Sequence, residues 1–202
     1  MGALYEVRHQ GTRRRAALKL MRPELVESRE LRERFHLETM LTASIDSDHI
    51  VGVYDGGTDE VTGSPYLVME LLRGHDLHAE LVRLRHIPPE DVALYVRQAA
   101  LGLTKAHDAG IVHRDLKPEN LFLVRRDDGT PCVKVLDFGI AKVLAESLSA
   151  AKTTRSIGTP VYMAPEQIRG DRTIGAAADL YALGHVAYTR SEERRVGKEG
   201  RS

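Results

Sequence analysis

Between residues 111 and 124 the chain reads IVHRDLKPENLFLV, and six of the eight positions from His113 to Asn120 are charged or polar. Their types are complementary. Asp115 is a carboxylate able to take a proton, and Lys117, two residues on, is a cation able to hold an anion. Asn120, the only asparagine in the chain, brings an amide oxygen of the kind hard cations accept. Ile111 and Val112 precede the run, and Leu121 to Val124 follow it, so core-type residues anchor it at both ends. Singly, each candidate has a plain structural role. Asp115 fits a turn, Lys19 a solvated strand lysine, and Glu38 a helix-surface charge. Only order and spacing separate chemistry from scaffolding.

The elements that must position this run are legible from periodicity. Residues 3–8 and 14–21 read as strands joined at Gly11-Thr12. Residues 28–45 read as a helix with Leu31, Phe35, Glu38 and Thr42 on one face. IVGVYD and PYLVMELL read as strands linked by a Gly/Asp/Thr turn region at 56–64. Pro88-Pro89 open a long amphipathic helix with the stripe Val92, Tyr95, Val96, Ala99, Leu103 and His107. LFLV and CVKVL read as a hairpin turning at Asp128-Gly129. An irregular segment from Asp137 to Glu166 follows, then a helix at 176–189. Strands with one helix come first and helices dominate later, which predicts two lobes meeting at a cleft near residues 70–76.

Bulk properties narrow the classes. The chain has 202 residues, 42% of them apolar, and a net charge of +0, so no global basic surface points to nucleic acid or an anionic membrane. Cys132 is the only cysteine, which excludes an internal disulfide and argues against a zinc cluster. The start lacks the apolar core of a signal peptide. The most apolar late stretch, IGAAADLYALGHVAYT, is short and carries Asp179, so it does not read as a membrane span.

HRDLKPEN followed by Asp137-Phe138-Gly139 resembles the catalytic core of the protein kinase family, here of the bacterial eukaryotic-like serine/threonine type. GTPVYMAPE at 158–166 is similar to the end of an activation segment, and AALK at 16–19 to the strand carrying the phosphate-binding lysine. The MAPEQ sequence adds to the bacterial character. The resemblance covers residues 2–189. It implies an α+β, bilobal protein-kinase-like fold with a small β-rich N-lobe lacking its first strand. The C-lobe is mainly helical and stops after the helix containing Asp179. The expected divisions are a partial N-lobe at 1–69, a hinge at 70–75 and a partial C-lobe at 76–189.

The resemblance also implies roles. Phosphoryl transfer asks the protein chiefly for positioning and charge neutralisation. Asp115 is the expected base beside the attacking hydroxyl, and Lys117 steadies the transferring phosphate. Asn120 and Asp137 would hold Mg²⁺, with Mn²⁺ as an alternative. Lys19 would reach the ATP phosphates, oriented by an ion pair with Glu38. Met69 would gate the back of the adenine pocket, and Glu70 and Leu72 would offer hinge backbone groups. Leu4, Ala17 and Phe122 would sandwich the ring, although ordinary core is an equal description of these apolar residues. Asp76 fits either a ribose contact or the N-cap of the next helix. His113 is expected to be structural, packing beneath Phe138. Arg114 and Lys142 would attract a regulatory phosphate on Thr154, with Thr153 and Ser156 as alternatives. Thr159 would belong to the substrate segment.

Departures from the family pattern are visible. Only Gly2 of the usual three loop glycines is present, which points to an incomplete phosphate cradle. Thr42 stands where the family packs a larger apolar residue, and the arginine expected to pair with Glu166 is absent. Asp179 resembles the aspartate that braces the HRD backbone. Residues 190–202 match RSEERRVGKECRS, the translation of a common sequencing-library adapter, everywhere except Gly200. They are therefore expected to be a non-native tail.

The expected activity is transfer of the ATP γ-phosphoryl group to protein Ser/Thr hydroxyls, including autophosphorylation. No nucleic-acid partner and no membrane segment in this stretch are expected. The kinase domain is expected in the cytoplasm, in a parent that could carry a membrane anchor elsewhere. One rival is a pseudokinase or ATP-binding scaffold, opposed by intact Lys19, Glu38, Asp115, Asn120 and Asp137. Another is a small-molecule phosphotransferase of related fold, opposed by GTPVYMAPE.

Overall fold

The computed structural model describes residues 2–26, 28–138, 160–171 and 173–192. The described chain divides into two units. The first contains residues 2–46, 51–72 and 138, and the second contains 47–50, 73–137 and 160–192.

The first unit is built on an antiparallel sheet. Strands β1 (Ala3–Arg8) and β2 (Arg15–Leu20) form a hairpin that sets Leu4 opposite Lys19. Strand β4 (Pro65–Met69) pairs with the other edge of β2, placing Ala17 across from Met69 and Lys19 across from Leu67. Strand β3 (Val53–Thr58) closes the order β1-β2-β4-β3. Helix α1 (Arg29–Ala43) packs on β3. Ser28 caps its start, the hydroxyl oxygen accepting from the Leu31 N–H at 3.1 Å. The helix buries Leu31, Phe35, Thr39 and Thr42. Thr39 thus joins the inward face, and Glu38 lies half-buried beside it rather than at its centre.

Two strand expectations need correction. IVGVYD was bounded too early, because the ladder begins at Val53 and runs on to Thr58 through glycines that read as turn signals. Gly56 is there for close approach: a Cβ on it would lie 2.6 Å from Thr39 Cγ2 and 2.9 Å from Leu67 Cδ2. PYLVMELL was bounded too late, since β4 ends at Met69.

In the second unit, β5 (Gly74–Asp76), β6 (Leu121–Arg125) and β7 (Pro131–Val135) form an antiparallel sheet. β5 was not anticipated, and its first two residues, Gly74 and His75, overlap the expected hinge. Helix α2 (Leu77–Leu84) follows it directly, capped by Asp76, whose Oδ1 accepts from the Ala79 N–H at 2.7 Å. Helix α3 (Pro89–Asp108) starts with proline in its first turn, where a missing N–H costs nothing. It buries Val92, Tyr95, Ala99, Gly102, Leu103 and Ala106. The face is therefore rotated from the predicted stripe, with Val96 and His107 only half-buried. A short helix α4 (Pro165–Arg169) begins within the last two residues of the stretch expected to be irregular, Pro165 and Glu166, and runs three residues past it. Helix α5 (Ala176–Glu192) packs on α3 and runs three residues beyond the predicted end at 189. Ser47–Ile50 also belongs to this unit, the Val135 N–H donating to the His49 carbonyl at 2.9 Å. Among the described residues, no helix is long and apolar enough to cross a membrane.

Candidate active site

The polar run occupies the connection between α3 and β6, ending in a 3-10 turn at Pro118–Asn120. Its backbone is held from below by one carboxylate. Asp179, on α5 and 1% exposed, accepts from the His113 N–H through Oδ2 and the Arg114 N–H through Oδ1, both at 2.8 Å. Oδ2 also lies 2.8 Å from His107 Nε2 on α3. A buried carboxylate is tolerable only with such partners. The two hydrogen bonds from the His113 and Arg114 N–H groups are of the kind that the bracing role expected of Asp179 requires.

His113 is fully buried. Its Nε2 donates to the Leu136 carbonyl at 2.7 Å, and its Nδ1 accepts from the Asp115 N–H at 3.2 Å. These two bonds require a neutral ring with its proton on Nε2. Burial pushes the imidazole's pKa below its ordinary value, outweighing the opposing pull of Asp179, the Leu136 carbonyl, Asp115 and Asp137. His113 therefore ties the loop to the residue just before Asp137.

Three side chains of the loop are the candidates for its chemistry. Lys117 Nζ lies 3.3 Å from Asp115 Oδ2, with both side chains partly exposed. The Asn120 side chain is buried, and its Nδ2 donates to the Asp115 backbone carbonyl at 2.8 Å. That bond fixes the amide's orientation and turns Oδ1 away from the carbonyl. The Leu136 N–H donates to the Asn120 carbonyl at 2.9 Å, a second link between the loop and the approach to Asp137. Asp137 is exposed and has φ +50°, a left-handed conformation uncommon for a residue other than glycine. Asn120 and Asp137 each carry hard oxygens of the kind that Mg²⁺ accepts. Among the described residues, no group of three or more His, Cys, Asp or Glu is placed to hold a metal.

The candidates of the first unit sit on regular elements. Lys19 is half-buried on β2, with Ala17 buried on the same strand and Met69 buried opposite Ala17. Leu4 is 68% exposed on β1. Glu38 on α1 lies 3.4 Å from Arg34 Nε, one helical turn back. The Glu70 N–H donates to the Gly52 carbonyl at 2.8 Å, so any hinge role of Glu70 toward adenine would fall to its carbonyl. Leu72 is half-buried. In the second unit, Phe122 is half-buried on β6 and stands opposite Asp76 in the ladder. For Asp76, the N-cap reading holds. Gly139, Lys142, Thr153, Thr154, Ser156 and Thr159 lie outside the described residues.

Two residues escaped the sequence reading. His107 was taken as part of an apolar stripe, yet a polar ring at the end of that stripe was itself a sign of a buried partner. Gln167 registered only as the last letter of MAPEQ, although its Nε2 donates to the Arg114 carbonyl at 2.7 Å. Glu166 is half-buried.

Comparison with known proteins agrees with this arrangement. Residues 1–199 match the protein kinase domain family. The chain is 43% identical over 188 residues to serine/threonine-protein kinase Pkn1 of Myxococcus xanthus, covering 93% of this chain and 26% of that protein. It is 38% identical over 177 residues to PknB of Mycobacterium leprae, covering 87% of this chain and 28% of that protein. The crystal structure of the Mycobacterium tuberculosis PknI kinase domain superposes with a TM-score of 0.75 at 29% identity, covering 96% of this chain and 70% of that one. The chain thus spans only 26% and 28% of the length of these two full-length relatives.

Proposed function

The chain belongs to the protein kinase family, and from that premise we propose that the protein containing it is a serine/threonine kinase transferring the γ-phosphoryl group of ATP to protein hydroxyls. The observation that carries this reading is the loop geometry. Asp115 stands beside Lys117 at 3.3 Å, on a backbone fixed by Asn120 and Asp179.

Asp115 takes the proton of the substrate hydroxyl as its oxygen attacks phosphorus. Lys117 lies against the same carboxylate and stabilises the negative charge on the phosphoryl oxygens. Asn120 through Oδ1 and Asp137 through its carboxylate would hold Mg²⁺ or Mn²⁺. When bound, such an ion supplies positive charge opposite the phosphate oxygens. Lys19 contacts the α/β-phosphates and Glu38 orients it. Ala17, Leu4, Phe122, Leu72 and the Glu70 carbonyl serve the adenine, and Asp76 reaches the ribose with the oxygen not used in capping. Lys117 and Thr159 favour serine and threonine over tyrosine. Thr154, with Thr153 and Ser156 beside it, is the proposed autophosphorylation site, supported by sequence position alone. The need for ATP supports a cytoplasmic location for the domain.

The test uses the natural full-length protein with labelled ATP and Mg²⁺. Label is expected on the protein itself and on a basic test protein, falling by about 10²- to 10⁴-fold in Asp115→Asn. A wild type that transfers no phosphate, or an Asp115→Asn variant as active as wild type, overturns the reading. Binding of ATP without transfer selects the scaffold alternative.

A further inference from the structure

Arg114 immediately precedes Asp115 and has φ +63°, a conformation that costs a non-glycine residue free energy and persists only where surroundings impose it. Those surroundings come from two helices. On the amide side, the Arg114 N–H donates to Asp179 Oδ1 on α5 at 2.8 Å. On the carbonyl side, Gln167 Nε2 on α4 donates to the Arg114 oxygen at 2.7 Å. The Gln167 amide is used at both ends, because its Oε1 accepts from the Ala164 N–H at 3.1 Å. Since a backbone N–H can only donate, the oxygen must face Ala164 and the nitrogen must face Arg114.

Two features separate this contact from ordinary helix capping. A cap would need only Oε1 on Ala164, whereas Nε2 leaves its own helix and reaches a carbonyl 53 residues away in sequence. That carbonyl is the one in the peptide bond to Asp115. Turning this peptide would swing the Asp115 carboxylate away from Lys117 and rotate the backbone carbonyl that Asn120 holds.

We infer that Gln167 is a positioning residue for Asp115, acting through the Arg114–Asp115 peptide and coupling the end of the GTPVYMAPE segment to the catalytic loop. Asp179 sets the amide side of Arg114 and Gln167 sets the carbonyl side. Displacement of Ala164 would be transmitted to Arg114 through the Gln167 side chain, which touches both. The inference rests on the proposed role of Asp115 as the base.

The test compares wild type with Gln167→Glu, Gln167→Met and Ile168→Ala in the natural full-length protein. Gln167→Glu keeps the shape but replaces the donor with an oxygen facing a carbonyl. Gln167→Met keeps the length and removes both hydrogen bonds without adding charge. Ile168 is an exposed neighbour on the same helix. Both Gln167 variants are expected to lower kcat about tenfold, as loss of one well-placed hydrogen bond implies, with KM for ATP within about twofold. Hydrogen–deuterium exchange in peptides covering residues 113–117 should accelerate in them and not in Ile168→Ala. Unchanged kcat and unchanged loop exchange overturn the inference, as does exchange that rises throughout the second unit. If Gln167→Glu fails to fold, Gln167→Met decides. If wild type transfers no phosphate, the kinase reading fails separately, and the exchange data still decide whether Gln167 clamps the loop.

Discussion

At the residue scale, Asp179 shows how a side chain without reactive chemistry comes to govern a reactive loop. Two backbone N–H groups and the His107 ring converge on its buried carboxylate. Asp179→Asn keeps the shape but replaces one acceptor oxygen with an NH₂ group that faces donors. The expected loss is about 2–4 kcal/mol of unfolding free energy, as for a buried hydrogen-bonded charge deprived of a partner. Chemical denaturation checks it, and a loss under about 0.5 kcal/mol would contradict the bracing role. The proposed reactive residues could be picked out in the sequence, because Asp115, Lys117, Asn120 and Asp137 fall in a short ordered pattern. Their supports were less so. His107 and Gln167 lie 72 and 53 residues from the groups they contact, and no local spacing records such a pairing.

At the scale of elements, periodicity located α1, α3 and the β6–β7 hairpin, while errors gathered where one element presses on another. Gly56 looked like a turn residue because glycine usually marks turns, yet here it admits the Thr39 side chain to the face of β3. Gly102 behaves similarly in the middle of α3. A Cβ there would lie 2.7 Å from the His49 carbonyl oxygen, which is already bound to the Val135 N–H at 2.9 Å. Helix propensity alone would make Gly102→Ala stabilising by about 1 kcal/mol. Overpacking against a fixed backbone atom opposes this with about 1–3 kcal/mol, and the carbonyl cannot yield without breaking its bond to β7. Gly102→Ala is therefore expected to lower the urea midpoint, and a raised midpoint would show that the Ser47–Ile50 segment is free to move.

At the scale of the whole molecule, the two-part organisation followed from the order of strands and helices, but the division did not. Ser47–Ile50 joins the second unit although α1 and β3 on either side belong to the first, because its backbone pairs with β7. Stability links these distant contacts through His113, whose neutral ring holds the loop to Leu136. Because burial depresses its folded pKa below the ordinary 6.5, the unfolded chain binds a proton here more readily than the folded one. Its stabilising contribution is therefore complete above about pH 6.5 and is lost as pH falls from there toward the lower folded value. The limiting slope is about 1.4 kcal/mol per pH unit. Protonation of Nδ1 would set a new N–H against the Asp115 N–H that it now accepts, so the folded state cannot take the proton without breaking the loop. Unfolding free energies between pH 5 and 7.5 should fall on the acid side more steeply in wild type than in His113→Gln, which has no titrating group at position 113. The comparison removes the contribution of the other histidines, which both proteins share. Equal slopes would mean that His113 is protonated without cost in the folded state, and that the hydrogen bonds seen at both of its ring nitrogens do not hold the loop in solution.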